Sequence, residues 1–196
     1  MGYLKYVREA WKRPKTSEFW KQRLMQFRRE PAMLRLEHPT RPDRARSLGY
    51  RAKQGFIIVR QRVSTGGHKR LRPAGGRRPK AARKRMVLDK SHKRIAEERA
   101  SRNFPNCEVL NSYWVANDSR YQWYEILLVD RAHPVVKSDK RMSWVSDDSQ
   151  KGRAERGLTS SGKKSRGLNN KGKGAEKLRP SKSAVHRKKM KKPRKD

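Results

Sequence analysis

The sequence predicts an α+β protein: a small, mostly antiparallel sheet with flanking helices, plus long basic loops and an extended basic C-terminal tail. Three observations lead there. The apolar runs VLNSYWVA (109–116) and YQWYEILLV (121–129) flank NDSR (117–120), the pattern of a β-hairpin. FIIVRQRV (56–63) is a third strand by its β-branched content. Short amphipathic stretches bounded by prolines precede these strands, so helices are expected to cover one face of the sheet.

The elements follow from local pattern. Tyr3, Tyr6, Val7, Ala10 and Trp11 form one apolar stripe of a helix over 3–12 that Pro14 ends, and the stripe is expected to pack into the core. Ser17 is an N-cap for a second helix, 18–29, with Trp20, Leu24 and Phe27 on its inner face and Pro31 beyond. Residues 38–55, with two prolines and two glycines, read as an ordered loop carrying five basic residues. In 56–63, alternation puts Ile57, Val59 and Val63 on one face and Arg60 and Arg62 on the other, where phosphate is expected to meet them. Segment 64–85 holds nine Lys or Arg and no acid, and its Gly-Gly pairs and prolines make it an extended loop ordered by a partner. Ser91 caps a helix over 91–103 with a weak apolar side of Ile95, Ala96 and Ala100.

Segment 104–136 contrasts with the rest. Its acids Glu108, Asp118, Glu125 and Asp130 outnumber Arg120 and Arg131, and its apolar density marks the centre of the sheet. From 151 onward, eighteen basic residues face three acids, so the tail is expected to stay extended in isolation. The resulting division is an N-terminal helical pair (1–30), an α+β core with its basic loop (31–136) and an extended C-terminal binding region (137–196).

Composition narrows the function. Lys and Arg number 54 against 18 Asp and Glu, a net charge of +36 on 196 residues. Such a chain repels itself unless a polyanion neutralises it. Hydrophobic residues make up 33%, below the roughly 45–50% apolar content of ordinary globular chains, so only part of the chain can fold around a core. No apolar run approaches the roughly 18 residues that span a bilayer, and MGYLKYVREAWKRP lacks the apolar block of a secretory signal. Cys107 is the only cysteine, compatible with a reducing compartment.

Two motifs suggest enzymes and fail on their chemistry. Gly157-Leu-Thr-Ser-Ser-Gly162-Lys163-Lys164 is one letter short of a phosphate loop, but no buried strand leads into it. Lys164 stands where a hydroxyl would bind Mg²⁺, and an ammonium cannot coordinate a cation. The histidines 38, 68, 92, 133 and 186 are scattered, with no pair at zinc spacing, so no metal or other cofactor is expected. No catalytic residue, small-molecule substrate or membrane partner is expected either.

Polyanion binding remains. A DNA reader concentrates charge on one helix or arm of a compact module, and here it is spread over loops, a strand face and the tail. Glycine-rich basic loops on a small sheet suit a large folded RNA, whose phosphates approach from many directions. Arg60, Arg62, His68, Lys69, Arg70, Arg77, Arg78, Arg83, Lys84 and Arg85 are the contacts expected on the strand face and in its basic loop. A chromatin-type DNA compactor is the rival class; it accounts for the charge but not for the aromatic hairpin. A phosphate-loop nucleotide hydrolase is the remote one.

HPTRPDRARSLGYRAKQGFIIVRQRV (38–63), EERASRN (97–103), VLNSYWV (109–115) and RGLTSSGKKSRGL (156–168) closely resemble the archaeal and eukaryotic large-ribosomal-subunit protein family L-fifteen-e. The similarity runs in order from Tyr3-Leu-Lys-Tyr6 to the tail, and the absence of longer insertions points to an archaeal member. The resemblance implies a small α+β domain with extensions embedded in large-subunit ribosomal RNA, beside neighbouring ribosomal proteins in the cytoplasm, without enzymatic activity. It also implies Arg41, Arg44, Arg46, Lys53, Arg156, Lys163, Lys164 and Arg166 as RNA contacts.

Overall fold

The computed structural model describes residues 2–67, 74–76, 90–178 and 181–191. In chain order the helices are α1 (Leu4–Ala10), α2 (Phe19–Arg29), α3 (Pro42–Ser47), α4 (His92–Asn103), α5 (Pro134–Ser138), α6 (Ser160–Ser165) and α7 (Lys182–Lys191). The strands are β1 (Met33–Leu36), β2 (Phe56–Ser64), β3 (Cys107–Asn117) and β4 (Tyr121–Asp130). They form one antiparallel sheet in the order β1-β2-β4-β3. The α+β class, the hairpin and β2 are as the sequence predicts.

The hairpin turns where Asp118 makes it turn. Its carboxylate accepts from the backbone N–H groups of Arg120 and Tyr121 and takes the Arg28 guanidinium at 2.7 Å, tying the turn to the end of α2. β4 is buried without interruption from Trp123 to Val129. A strand buried on both faces reads as a continuous apolar run, and WYEILLV is one but for Glu125. The expectation of helices on one face is therefore corrected.

Trp123, Leu127 and Val129 face Trp20 and Phe27 of α2, Ala45 of α3 and Val136 of α5. Tyr124, Ile126 and Leu128 face Ala96 and Ala100 of α4 and Ala154. The small residues of α4 let its axis approach the sheet closely, so the weak apolar side of that helix suffices. Ser91 caps it, accepting from the Arg94 N–H as expected.

Two sequence expectations about helices change. Ser17 does not cap α2 with its side chain; Glu18 is the flanking residue. The apolar stripe of α1 is largely open, with Tyr3 56% and Tyr6 72% exposed. Leu4 and Val7 are half-buried where α1 packs on α3, and Trp11 beyond its end lies under the guanidinium groups of Arg23 and Arg41 at 5.1 and 4.8 Å. The 38–55 loop contains α3, a short helix with Pro42 at its first turn, where the missing N–H costs nothing.

Candidate nucleic-acid interface

The predicted contacts divide by environment. Arg44 and Arg46 project from α3 into solvent, and Lys53 is exposed with a 3.5 Å pairing to Asp139. Arg41 is half-buried between Trp11 and Asp43, 3.5 Å away. Arg156, Lys163 and Lys164 are exposed and Arg166 half-buried. Arg156 donates to the carbonyls of Lys151 and Ser149, so part of its guanidinium fork is already used. His68, Lys69, Arg70, Arg77, Arg78, Arg83, Lys84 and Arg85 lie outside the described residues.

Arg60 is a correction. The alternation is right, but the face it assigns is covered by α2. Arg60 is 7% exposed, its Nη1 lies 2.7 Å from Glu30, its Nη2 3.4 Å from Glu125, and its guanidinium sits 4.0 Å over the Phe27 ring. Glu125 also accepts from the Tyr113 hydroxyl, the Thr40 hydroxyl and the Thr40 N–H. Burial and the Glu125 charge push the Tyr113 phenol far above its ordinary value. A buried charge needs a paired and hydrogen-bonded site; Glu30, Glu125 and Thr40 take both terminal nitrogens of Arg60, and only its Nε is left without a partner. Arg62 is half-buried over Tyr121 and donates to the Arg28 carbonyl at 3.0 Å.

The stretch after Lys151 corrects the expectation of a wholly extended tail. It folds by hydrogen bonding to buried acids instead of by burying aliphatic groups. Glu108 accepts the N–H groups of Gly152 and Arg153, at 2.8 and 3.3 Å. Arg153 sends its Nη1 to the carbonyls of Val109 and Leu110 at 2.7 and 3.1 Å. Those carbonyls lie where the β3–β4 register shifts between Val109 and Asn111, so Arg153 stitches a β-bulge. Burial pulls its guanidinium below the ordinary arginine value.

Glu97, fully buried on α4, accepts from the hydroxyls of Ser112, Thr159 and Ser161. Thr159 also caps α6, accepting from the Gly162 N–H at 3.2 Å. The near-miss phosphate loop is thus built differently from its namesake. It begins at a Gly157 turn with φ +67°, its helix is six residues long, and its Thr159 and Ser161 hydroxyls point inward to a carboxylate.

This packing gathers cations from three elements. Arg44 on α3 and Lys164 on α6 both act electrostatically on Lys93 of α4. Burial, first, and then those two like charges hold Lys93 below the ordinary lysine value, against the opposing pull of Glu97. Sequence reasoning links Arg44 and Lys164 to RNA but passes over Lys93, Arg153, Glu97 and Glu125. Glu125 carries a signal: it is a lone carboxylate in the otherwise uncharged run YQWYEILLV, which the fold must pair. Lys93 carries none, because SHKR resembles any basic helix start.

Among the described residues no group of three or more His, Cys, Asp or Glu side chains is placed to hold a metal ion, and no helix is long and apolar enough to cross a membrane. The fold is that of a small α+β protein with exposed cations on α3 and α6. The family model described as Ribosomal L15 matches residues 2–185. The chain is 50% identical over 188 residues to the large ribosomal subunit protein eL15 of the archaeon Methanocella arvoryzae, covering 93% of this chain and 95% of that protein. The chain belongs to the ribosomal L15e family, which is a family of ribosomal proteins and not of enzymes.

Proposed function

We propose that the chain is a structural constituent of the large ribosomal subunit in the cytoplasm, an archaeal member of its family that binds and neutralises folded ribosomal RNA. The observation that carries this is the partition of charge. Asp43, Glu97, Glu98, Glu108 and Glu125 are all buried and committed to holding the fold, whereas Arg44, Arg46, Arg156, Lys163 and Lys164 stay exposed. The surface offered to a partner is therefore more cationic than the net charge of +36 implies.

Arginine forks match phosphate oxygens, and lysine supplies a mobile point charge. Each phosphate neutralised releases condensed counterions, so affinity falls steeply with salt. Arg41, Arg44, Arg46, Lys53, Arg156, Lys163, Lys164 and Arg166 serve as backbone contacts, with the basic 64–85 loop and the 137–196 region extending the surface. Neighbouring ribosomal proteins complete the surroundings. No catalytic step, cofactor, small-molecule substrate or membrane belongs to this role.

The test is binding to transcribed large-subunit ribosomal RNA across a salt series, with duplex DNA as competitor. Six to ten phosphate contacts lose about 10³–10⁵ in affinity between 50 and 200 mM salt. Equal competition by DNA at every salt concentration would favour the chromatin-type alternative.

A further inference from the structure

Between the start of α4, strand β4 and α6 with the turn after it lies an open cleft of about 700 Å³. That is within the roughly 300–1,000 Å³ of small-ligand sites. Lys93 of α4 lines it opposite Lys164 and Arg166 at the end of α6, Ser165 adds a hydroxyl, and Tyr124 and Leu178 supply apolar wall. No carboxylate is among the described residues that line it. Among the described residues Lys93 makes no hydrogen bond or ion pair, although it is half-buried. One wall of the cleft turns at Gly167, whose φ of +73° favours glycine, with Leu178 Cδ1 2.7 Å from where a Cβ would stand.

We propose that this cleft takes up one nucleotide turned out of the ribosomal RNA, with its phosphate among Lys93, Lys164 and Arg166 and its nucleoside against Tyr124 and Leu178. The inference rests on the RNA-binding role proposed above and gives it a specific site. Neutralising a smooth phosphate backbone needs exposed cations and no cavity. A bare phosphate would leave the Tyr124 and Leu178 wall unused. Glu97 pulls on Lys93 but spends its oxygens on three hydroxyls and forms no ion pair with it, so the half-buried ammonium has room for an anion from outside. Splayed-out nucleotides are the form in which RNA offers an anion joined to a flat, partly apolar body.

Three full-length variants test this against transcribed large-subunit ribosomal RNA. Lys93→Met removes the charge and keeps the length. It is expected to weaken binding roughly fivefold at 0.15 M salt and to lower the salt slope by about one. Its thermal midpoint without RNA is expected to stay level or rise, since an unpaired desolvated charge is removed. Lys93→Arg is expected to restore the slope. Ser165→Trp fills the cleft at constant charge and is expected to weaken binding at least as much, with the slope unchanged.

Ultraviolet cross-linking of the wild-type complex is expected to leave a nucleotide adduct on Tyr124 or within 160–170, which keeps the test decisive if Ser165→Trp does not fold. Wild-type binding by a folded Ser165→Trp, or a complex with no adduct in these segments, overturns the proposal. So does micromolar binding of a free nucleoside monophosphate, which would assign the cleft to a soluble nucleotide. Failure of the wild-type chain to bind ribosomal RNA at all would instead remove the proposed function itself.

Discussion

Arg60 and Glu125 are cross-strand partners in the β2–β4 register, and their side chains pair at 3.4 Å beneath α2. The most basic face of the longest-range strand pairing is thus interior. Removing one partner of a buried ion pair costs about 3–5 kcal/mol, because the other charge stays buried alone. Glu125 keeps Thr40 and Tyr113 when Arg60 is lost, which moderates the cost. Arg60→Gln is expected to lower unfolding stability by roughly 3 kcal/mol in urea titration. Arg62→Gln, losing a bond from a half-buried guanidinium to a carbonyl, is expected to cost about 1 kcal/mol. Neither should change the salt slope of RNA binding; a fall of about one per arginine would put these side chains on phosphate after all.

Gly162 and Gly157 touch backbone to backbone. A Cβ at 162 would lie 2.5 Å from Gly157 Cα and 2.6 Å from its carbonyl carbon, atoms that cannot rotate away. Gly162→Ala must therefore lift α6 from the turn and draw Thr159 and Ser161 off Glu97. Overpacking of this kind costs about 1–3 kcal/mol. The expected result is faster amide exchange over 159–166 with the β3–β4 hairpin still protected, and Lys163→Ala, on the exposed side of the same helix, should leave exchange unchanged. Loss of hairpin protection in Gly162→Ala would mean that 151–168 and the sheet open as one unit.

These two relationships explain what could be read in advance. The hairpin and β2 were legible because dense apolar runs and turn residues announce themselves within ten residues. β1 was not, since four residues, MLRL, are too few to show a period. Alternation placed Arg60 on the right face of β2, but what covers that face comes from Glu30 and Phe27, some thirty residues earlier. Charge and aliphatic content hide the order of segment 151–168, because that order comes from Thr159, Ser161 and close-packed glycines. The cations expected at the surface on α3 and α6 are there, since no acid among the described residues pairs with Arg44, Arg46, Lys163 or Lys164.

Cys107, the first residue of β3, is 2% exposed. Burial, followed by the nearby Asp130 charge, raises its thiol to about 11 against an ordinary 9.0. At pH 8 only about one thiol in a thousand is then thiolate, the form that reacts. Iodoacetamide is expected to leave the folded chain unmodified at pH 8 and to label it fully in denaturant. The folded thiol keeps its proton to higher pH than the unfolded one, so its contribution to stability is complete below pH 9 and is lost as pH rises towards 11. Cys107→Ala should remove that part of the alkaline loss, seen as a smaller fall in unfolding free energy between pH 9 and 11. An identical fall in both proteins would show that the thiol titrates as if exposed.

Lys164 is the residue at which two accounts of the 157–164 stretch give opposite results. Lys164→Ser completes the letters of a phosphate loop, and on an enzymatic account it should create Mg²⁺-dependent ATP binding. The geometry leads elsewhere. A phosphate loop leads from a buried strand into a helix and leaves its hydroxyl free for the metal. Here a glycine turn leads into a six-residue helix, and both nearby inward hydroxyls donate to Glu97. The lysine side chain is exposed beside Lys93, so its loss subtracts a positive charge from the Arg44–Lys93–Lys164 cluster without disturbing the packing of α6. Lys164→Ser is therefore expected to bind no Mg²⁺-ATP in calorimetry at 0.15 M salt, and to lose roughly fivefold in affinity for large-subunit ribosomal RNA with a salt slope lower by about one. Relief of repulsion should also let Lys93 recover part of its basicity, visible as an upward move in its side-chain NMR titration. Measurable ATP affinity in either version of the chain, or an unchanged slope, would contradict the phosphate-contacting role of Lys164.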